Sequence, residues 1–278
     1  MIEKMDLERI LTALIGFPLV VLLIFLGTPQ VICFAIMIIA IICMNEYFTV
    51  IKKICNPIKW IGYLSTIIIF LVSIFKMETI KNGIMFGIPI ITIVLFLHII
   101  FTDMKITFKD IVYTLFGIIY ITGSIMFLGL ITTLNKGNFI LFYVAMIAWS
   151  TDVFAYFAGK TFGKHHFSKI SPKKTIEGCI TGAIAATVVG IIYISVINNL
   201  GFLKIEYGII HIGIISFLLS IISQIGDFAA STIKRFTDTK DYGNILPGHG
   251  GMLDRIDSLL FIAPYLYMAI ILGNVIII

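Results

Sequence analysis

Apolar runs of sixteen to twenty-four residues recur from one end of this 278-residue chain to the other, and they constrain its fold more than any other feature. The hydrocarbon layer of a bilayer takes about 20 apolar helical residues to cross, with a usual range of roughly 17 to 25. Nine runs approach that length: 10–26, 31–47, 60–75, 84–101, 111–134, 139–158, 176–197, 209–230 and 259–277. Composition agrees: 59% of residues are hydrophobic, only 13% are charged, and the mean hydropathy is +1.08, well above the apolar share of a soluble domain. The expected fold is therefore all-α, a polytopic integral membrane protein with about nine transmembrane helices in a single domain over 1–278. The first run follows a charged start but no small-residue cleavage site follows it, so it is expected to be a retained span.

Lysine and arginine collect in cytoplasmic loops, so their distribution orients the chain. With the N-terminus inside, sixteen of the 20 basic residues fall on the cytoplasmic side and four, Lys76, Lys81, Lys136 and Lys204, on the other. The C-terminus then lies opposite the N-terminus. Two polar loops, 159–175 and 231–258, share the cytoplasmic side and belong to a catalytic part (139–278), which follows spans assigned by hydropathy only (1–134). The net charge of +5 is scattered between apolar runs and forms no stripe, which argues against nucleic acid as a partner. Cys33, Cys43, Cys55 and Cys179 lie far apart without C-x-x-C spacing and read as packing residues rather than disulfides or zinc ligands.

Ionisable groups within spans are costly, and they mark sites that face a protein-lined cavity. Asp152, in "AWSTDVFAYFAG", sits about 10 Å below the cytoplasmic end of its helix at 1.5 Å per residue. Asp227 lies near the same end of the eighth run, and Asp254 and Asp257, three apart, share a face at the entrance to the ninth. Carboxylates brought together repel unless a cation sits between them. Hard divalent ions such as Mg2+ take one or two carboxylates plus substrate phosphates. A Mg2+ site, with room for a second ion, is the physical expectation. Ser231, Lys234 and Arg235 follow Asp227 at i+4, i+7 and i+8 on one helical face and suit a polyphosphate clamp.

In "KISPKKTIEGC", Ser171 fits an N-cap with Pro172 at the first helical position, and Lys173 and Lys174 lie beside the free amides of that turn, where an anion can bind. Membrane topology alone explains those lysines equally well. "AGKTFGK" is not a P-loop, because Phe154 stands where a glycine is required. "LPGHGG" supplies backbone for a sharp turn around His249, which fits a proton shuttle, a phosphate donor or a turn residue alike. His98, His165, His166 and His211 receive no role.

The run "STIKRFTDTKDYGNILPGHGGMLDRID", 231–257, resembles the signature of the phosphatidate cytidylyltransferases (CDP-diacylglycerol synthases): S-x-x-K-R, then K-D at Lys240 and Asp241, then P-G-H-G-G-x-x-D-R-x-D. "SPKKTIEG" and "WSTDVFAYFAGKTFGK" resemble upstream segments of that family. The resemblance implies that CTP and phosphatidate give CDP-diacylglycerol and pyrophosphate, with Mg2+ and K+ as a candidate second ion, in an all-helical membrane homodimer. It places Asp227 and Asp254, with Asp257 beside them, as metal ligands. Ser231, Lys234 and Arg235 face nucleotide or phosphate, with Lys173, Lys174, Asp152, Lys240 and Asp241 as further nucleotide or ion contacts. A bacterial inner membrane is the expected location, with the active site toward the cytoplasm. A CTP-dependent lipid-alcohol kinase and an ion-coupled transporter stay open as rival readings.

Overall fold

The computed structural model describes residues 2–75, 80–103, 105–168, 170–203, 208–246, 248 and 250–273. Every regular element among them is helical, with two isolated backbone bridges, His166 to Thr175 and Leu246 to Gly250. The helices are α1 (Ile2–Leu26), α2 (Pro29–Ile51), α3 (Lys59–Phe75), α4 (Ile80–Phe101), α5 (Phe108–Gly117), a π-helical turn (Ile118–Gly123), α6 (Ser124–Thr132), α7 (Gly137–Phe162), α8 (Ile176–Asn199), α9 (Ile209–Phe236) and α10 (Leu253–Gly273).

Over its described residues each expected run falls on one helical stretch, the fifth of them built from α5, the π turn and α6; the end of the ninth run, 274–277, lies outside the described residues. Among the described residues, six stretches are long and apolar enough to cross a membrane: Pro29–Ile51, Phe108–Thr132, Gly137–Phe162, Ile176–Asn199, Ile209–Phe236 and Leu253–Leu272. The apolar windows of α1, α3 and α4 are shorter, Leu14–Leu26, Lys59–Ile74 and Gly87–Phe101. Large apolar side chains face outward throughout; Phe101 is 81% exposed and Ile210 74%. An apolar exterior of this kind suits a protein solvated by lipid.

Local chemistry sets the helix starts. Thr28 caps α2 ahead of Pro29, whose missing N–H costs nothing in a first turn. Thr107 and Asp110 form a reciprocal capping box on α5. The start of α8 differs from expectation. Ser171 and Pro172 lie in a turn closed by Lys174 N–H donating to the Ser171 carbonyl at 3.1 Å. The cap is Thr175, whose hydroxyl accepts from Gly178 N–H at 3.2 Å, with Glu177 in the first turn. Ser171 is thus not an N-cap, because Thr175 satisfies the orphan amides four residues later. At the other boundaries, α9 runs on to Phe236 and α10 begins at Leu253, which places Ser231, Lys234, Asp254 and Asp257 all on helices.

The chain packs as two compact units. The first comprises Met1–Thr133 with Phe236–Arg255. Its core is α2, where Met44, Tyr47 and Phe48 are fully buried. Phe48 lies against Gly62 of α3 and Tyr47 against Gly117 of α5, positions where any side chain would collide with those rings. Tyr47 OH donates to the Tyr113 carbonyl at 3.0 Å, and the Thr66 and Thr122 hydroxyls meet at 2.6 Å. All four cysteines are free thiols, as their spacing suggested, and Cys33, Cys43 and Cys179 are buried packing residues.

The second unit comprises Leu134–Arg235 with Ile256–Ile278. Here α7 and α8 approach through small residues, Ala155 and Gly159 on one and Gly178 and Gly182 on the other. A methyl at Gly178 would lie 2.6 Å from the Ala155 carbonyl oxygen, and one at Gly182 2.7 Å from that of Thr151. Spacing of four residues between small side chains lets helix backbones come this close. Buried hydroxyls and an amide then tie in α9: Tyr143 to Ser216 at 2.8 Å, Thr151 to Ser220 at 2.6 Å, and Gln224 Nε2 to the Cys179 carbonyl at 3.1 Å.

Candidate active site

In the second unit, four elements bring charge to one neighbourhood. Asp152 comes from α7, Lys174 from the turn before α8, Asp227, Ser231 and Lys234 from α9, and Asp257 from α10. Close packing of α9 on α10 explains the convergence: Gly226, beside Asp227, has no room for a methyl because the Asp257 carbonyl would lie 2.8 Å away. Asp257 is only 6% exposed, and Asp227, Asp152 and Lys234 all lie within electrostatic reach of it. Its Oδ1 accepts the Ser258 N–H at 2.8 Å. Two buried hydroxyls in the same region, Ser223 Oγ, one turn before Asp227, and Ser258 Oγ, have no hydrogen-bond partner among the described residues.

Lys174 forms an ion pair with Asp227, both side chains being mostly buried, and its ammonium lies 5.0 Å from the Phe228 ring centroid. Burial acts to lower the Lys174 pKa, but the Asp227 carboxylate beside it, reinforced by Asp152, holds it above the ordinary lysine value. Lys174 is therefore a fixed cation. The segment carrying it is fastened elsewhere too. Phe167 stacks on Phe228 at 4.7 Å, Arg235 Nε donates to the Ile170 carbonyl at 3.2 Å, and Glu177 accepts from the Lys164 and His165 amides and meets His165 Nδ1 at 2.6 Å. Lys173 is exposed at the turn.

In the first unit lies the stretch between α9 and α10. Leu246 N–H donates to the Gly250 carbonyl at 3.0 Å, closing a tight turn in which Gly248 and Gly250 take φ of 73° and 84°. Those left-handed conformations favour glycine, as the "LPGHGG" stretch led one to expect. His249 lies outside the described residues. Lys240 and Asp241 are exposed, with Asp241 beside Gly250. Asp254 Oδ2 accepts two backbone N–H groups, from Tyr242 at 2.8 Å and from Gly251 at 3.1 Å.

A second carboxylate serves the same stretch, and the sequence reading passed over it. Glu46 of α2 is 3% exposed and accepts Met252 N–H on Oε1 at 2.9 Å and Leu253 N–H on Oε2 at 2.8 Å. The signal was present, a lone carboxylate inside the apolar run "CMNEYF". The buried serines of α9, Ser216, Ser220 and Ser223, were also missed; with Gln224 and Asp227 they form a polar stripe at helical spacing.

Among the described residues, no three His, Cys, Asp or Glu side chains converge tightly enough to enclose a metal ion by themselves. Mg2+ does not require such a cage, since it is usually held by one or two carboxylates and completed by substrate phosphates and water. Asp227 and Asp257, paired across the α9 and α10 contact and flanked by oxygen-bearing serines, suit that mode of binding. Asp254 shares the α10 face of Asp257 by its i, i+3 spacing.

The family described as "Cytidylyltransferase family" matches residues 7–272. The phosphatidate cytidylyltransferase of Bacillus subtilis (strain 168) is 41% identical over 168 residues, 60% of this chain and 60% of that protein. That of Staphylococcus haemolyticus (strain JCSC1435) is 30% identical over 268 residues, 95% of this chain and 98% of the relative. That of Rickettsia felis (strain ATCC VR-1525 / URRWXCal2) is 38% identical over 170 residues, 60% of this chain and 74% of the relative.

Proposed function

Because this chain belongs to the cytidylyltransferase family, we propose that it transfers the cytidylyl group of CTP to phosphatidate, giving CDP-diacylglycerol and pyrophosphate for phospholipid synthesis. The observation that carries the reading is the gathering of Asp152, Asp227 and Asp257 with Lys174 and Lys234 in a chain whose helices suit a bilayer. Such a centre meets the needs of both substrates. A nucleoside triphosphate requires its charge neutralised, and a diacyl phosphate must stay anchored in lipid while its headgroup reacts.

In this mechanism a phosphate oxygen of phosphatidate attacks the CTP alpha-phosphorus in line. The new P–O bond forms as the bond to the beta-phosphate oxygen breaks, and pyrophosphate leaves with the electron pair. Phosphoryl chemistry of this kind depends on positioning and charge stabilisation more than on covalent help. Asp227, with Asp254 and Asp257 as the further carboxylates, would hold Mg2+, which would supply neutralisation of the charge that builds on the reacting phosphates. Lys234 and Arg235 bind the departing pyrophosphate, with Ser231 on the same helix as a polar contact. Lys174 holds the Asp227 carboxylate in place as its ion-pair partner and brings a positive charge toward the triphosphate. Lys173, Lys240 and Asp241, on exposed turns, and His249 complete the nucleotide surface, and K+ is the candidate second ion.

The finer topology belongs to the same proposal: nine spans with the N-terminus inside, the C-terminus opposite, a homodimer in a bacterial cell membrane, and the site facing the cytoplasm. The bacterial relatives and the bias of basic residues support it. The test uses purified protein in detergent-lipid micelles with phosphatidate and CTP labelled at the alpha-phosphate, with and without Mg2+. Label entering the lipid fraction with Mg2+-dependent pyrophosphate release is the expected result. Label recovered in soluble CDP would instead establish transfer of the gamma-phosphate.

A further inference from the structure

We infer that Glu46 is a positioning residue, which sets the geometry of the 241–254 stretch and through it the carboxylate of Asp254. The inference rests on the cytidylyl-transfer reading for its kinetic consequence, but its structural content does not. A carboxylate buried to 3% exposure inside an apolar helix is expensive and has to be matched by donors. The donors here are backbone amides 206 and 207 residues away in sequence, Met252 N–H and Leu253 N–H, the first groups of α10. Those amides are the orphans of a helix N-terminus, where negative charge is also favoured by the helix dipole. One side chain thereby fixes where α10 begins.

The packing around Glu46 extends the hold to the rest of the stretch. A methyl at Gly243 would lie 2.6 Å from Glu46 Oε1, and its three nearest atoms would all belong to Glu46. A methyl at Gly251 would lie 2.8 Å from Oε2 and equally close to Gly243 N. The backbone thus folds over the carboxylate at two points, which explains the glycines there by close approach, since φ is not positive at either. The same Gly251 donates its N–H to Asp254 Oδ2, as does Tyr242, the residue before Gly243. Glu46 and Asp254 therefore grip one backbone segment from two sides, and a shift at Glu46 must move the groups that orient Asp254. Lys53 Nζ, just past the end of α2, donates to the Asp238 carbonyl at 3.4 Å and adds a weaker tie to the same stretch. No substrate contact is assigned to Glu46; its effect is exerted through Asp254.

Glu46→Gln keeps the side-chain size but turns one acceptor into a donor facing an amide. The full-length variant in micelles should lose turnover on the order of 10²-fold, as a misplacement near 1 Å does. Hydrogen exchange gives the readout that general destabilisation would not produce. Exchange should rise on the order of tenfold at Met252 and Leu253, which lose a charge-assisted bond, and also at Tyr242 and Gly251, which do not touch Glu46. Amides in the middle of α2 and α10 should be unchanged. Unchanged exchange at Tyr242 and Gly251, or turnover like that of the unmodified protein, would overturn the inference. Should Glu46→Gln not fold, Gly243→Ala decides. It should reproduce both the loss of turnover and the faster exchange at Tyr242 and Gly251. Exchange at those two amides like that of the unmodified protein would contradict the coupling. Absence of cytidylyl transfer in the unmodified protein would defeat the functional reading while leaving the exchange test intact.

Discussion

Two carboxylate centres in this molecule are built on opposite plans. In the first unit, Glu46 and Asp254 have backbone N–H donors at 2.8 to 3.1 Å, groups that cannot leave. In the second, Asp152, Asp227 and Asp257 act on one another as like charges, and a lysine side chain supplies the counter-charge to Asp227. The first arrangement fixes its carboxylates in position, because their donors are backbone groups that also hold the chain. The second keeps charge in tension, which costs stability and is worth keeping only where a cationic or phosphate ligand relieves it.

The comparison breaks most visibly at the ion pair. Lys174→Met and Asp227→Asn should each lower cytidylyl transfer on the order of 10²-fold, the scale of a removed electrostatic contact to the reacting group. Made together they should fall well short of the product of the two losses, since each acts through the other. Steady-state kinetics at saturating Mg2+ measures this, and a multiplicative loss would show that the two residues serve separate purposes.

Next in size is the support beneath the second centre. Gly182→Val should push α7 from α8 and destabilise by about 1–3 kcal/mol, with turnover falling as Asp152 moves. Chemical denaturation in micelles checks the first and label transfer the second. The smallest effect is expected from Phe167→Ala, which removes the ring stacked on Phe228 at 4.7 Å. A loss of about 0.5–1.5 kcal/mol, seen as faster amide exchange in 163–175 with little change in global unfolding, would mark the turn that carries Lys174 as locally fastened.

Bilayer thickness made the helices legible in the sequence, because it fixes a length that apolar runs must meet. Asp152, Asp227 and Asp257 were legible for the converse reason: a charge in such a run needs a use. Glu46 obeys the same rule, yet its purpose was hidden, since its partners are backbone amides in a distant segment and no side-chain pattern announces them. The start of α8 was misread because Ser-Pro is a good opening for a helix, and only the fold reveals that Thr175 wins the capping amides. Sequence also grouped Asp254 with the other three aspartates, but it gave no sign that the Tyr242 and Gly251 amides hold its Oδ2, because backbone donors leave no side-chain pattern.

The central claim is that chemistry belongs to the charged centre of the second unit. The most direct measurement is transfer of alpha-phosphate label from CTP into lipid by Asp257→Asn, beside the unmodified protein, at saturating Mg2+ and with unfolding monitored on the same samples. The account predicts that transfer falls on the order of 10²-fold or more while stability holds or rises, because a buried like charge has been removed. Transfer near that of the unmodified protein, in a variant that is folded and inserted, would contradict it.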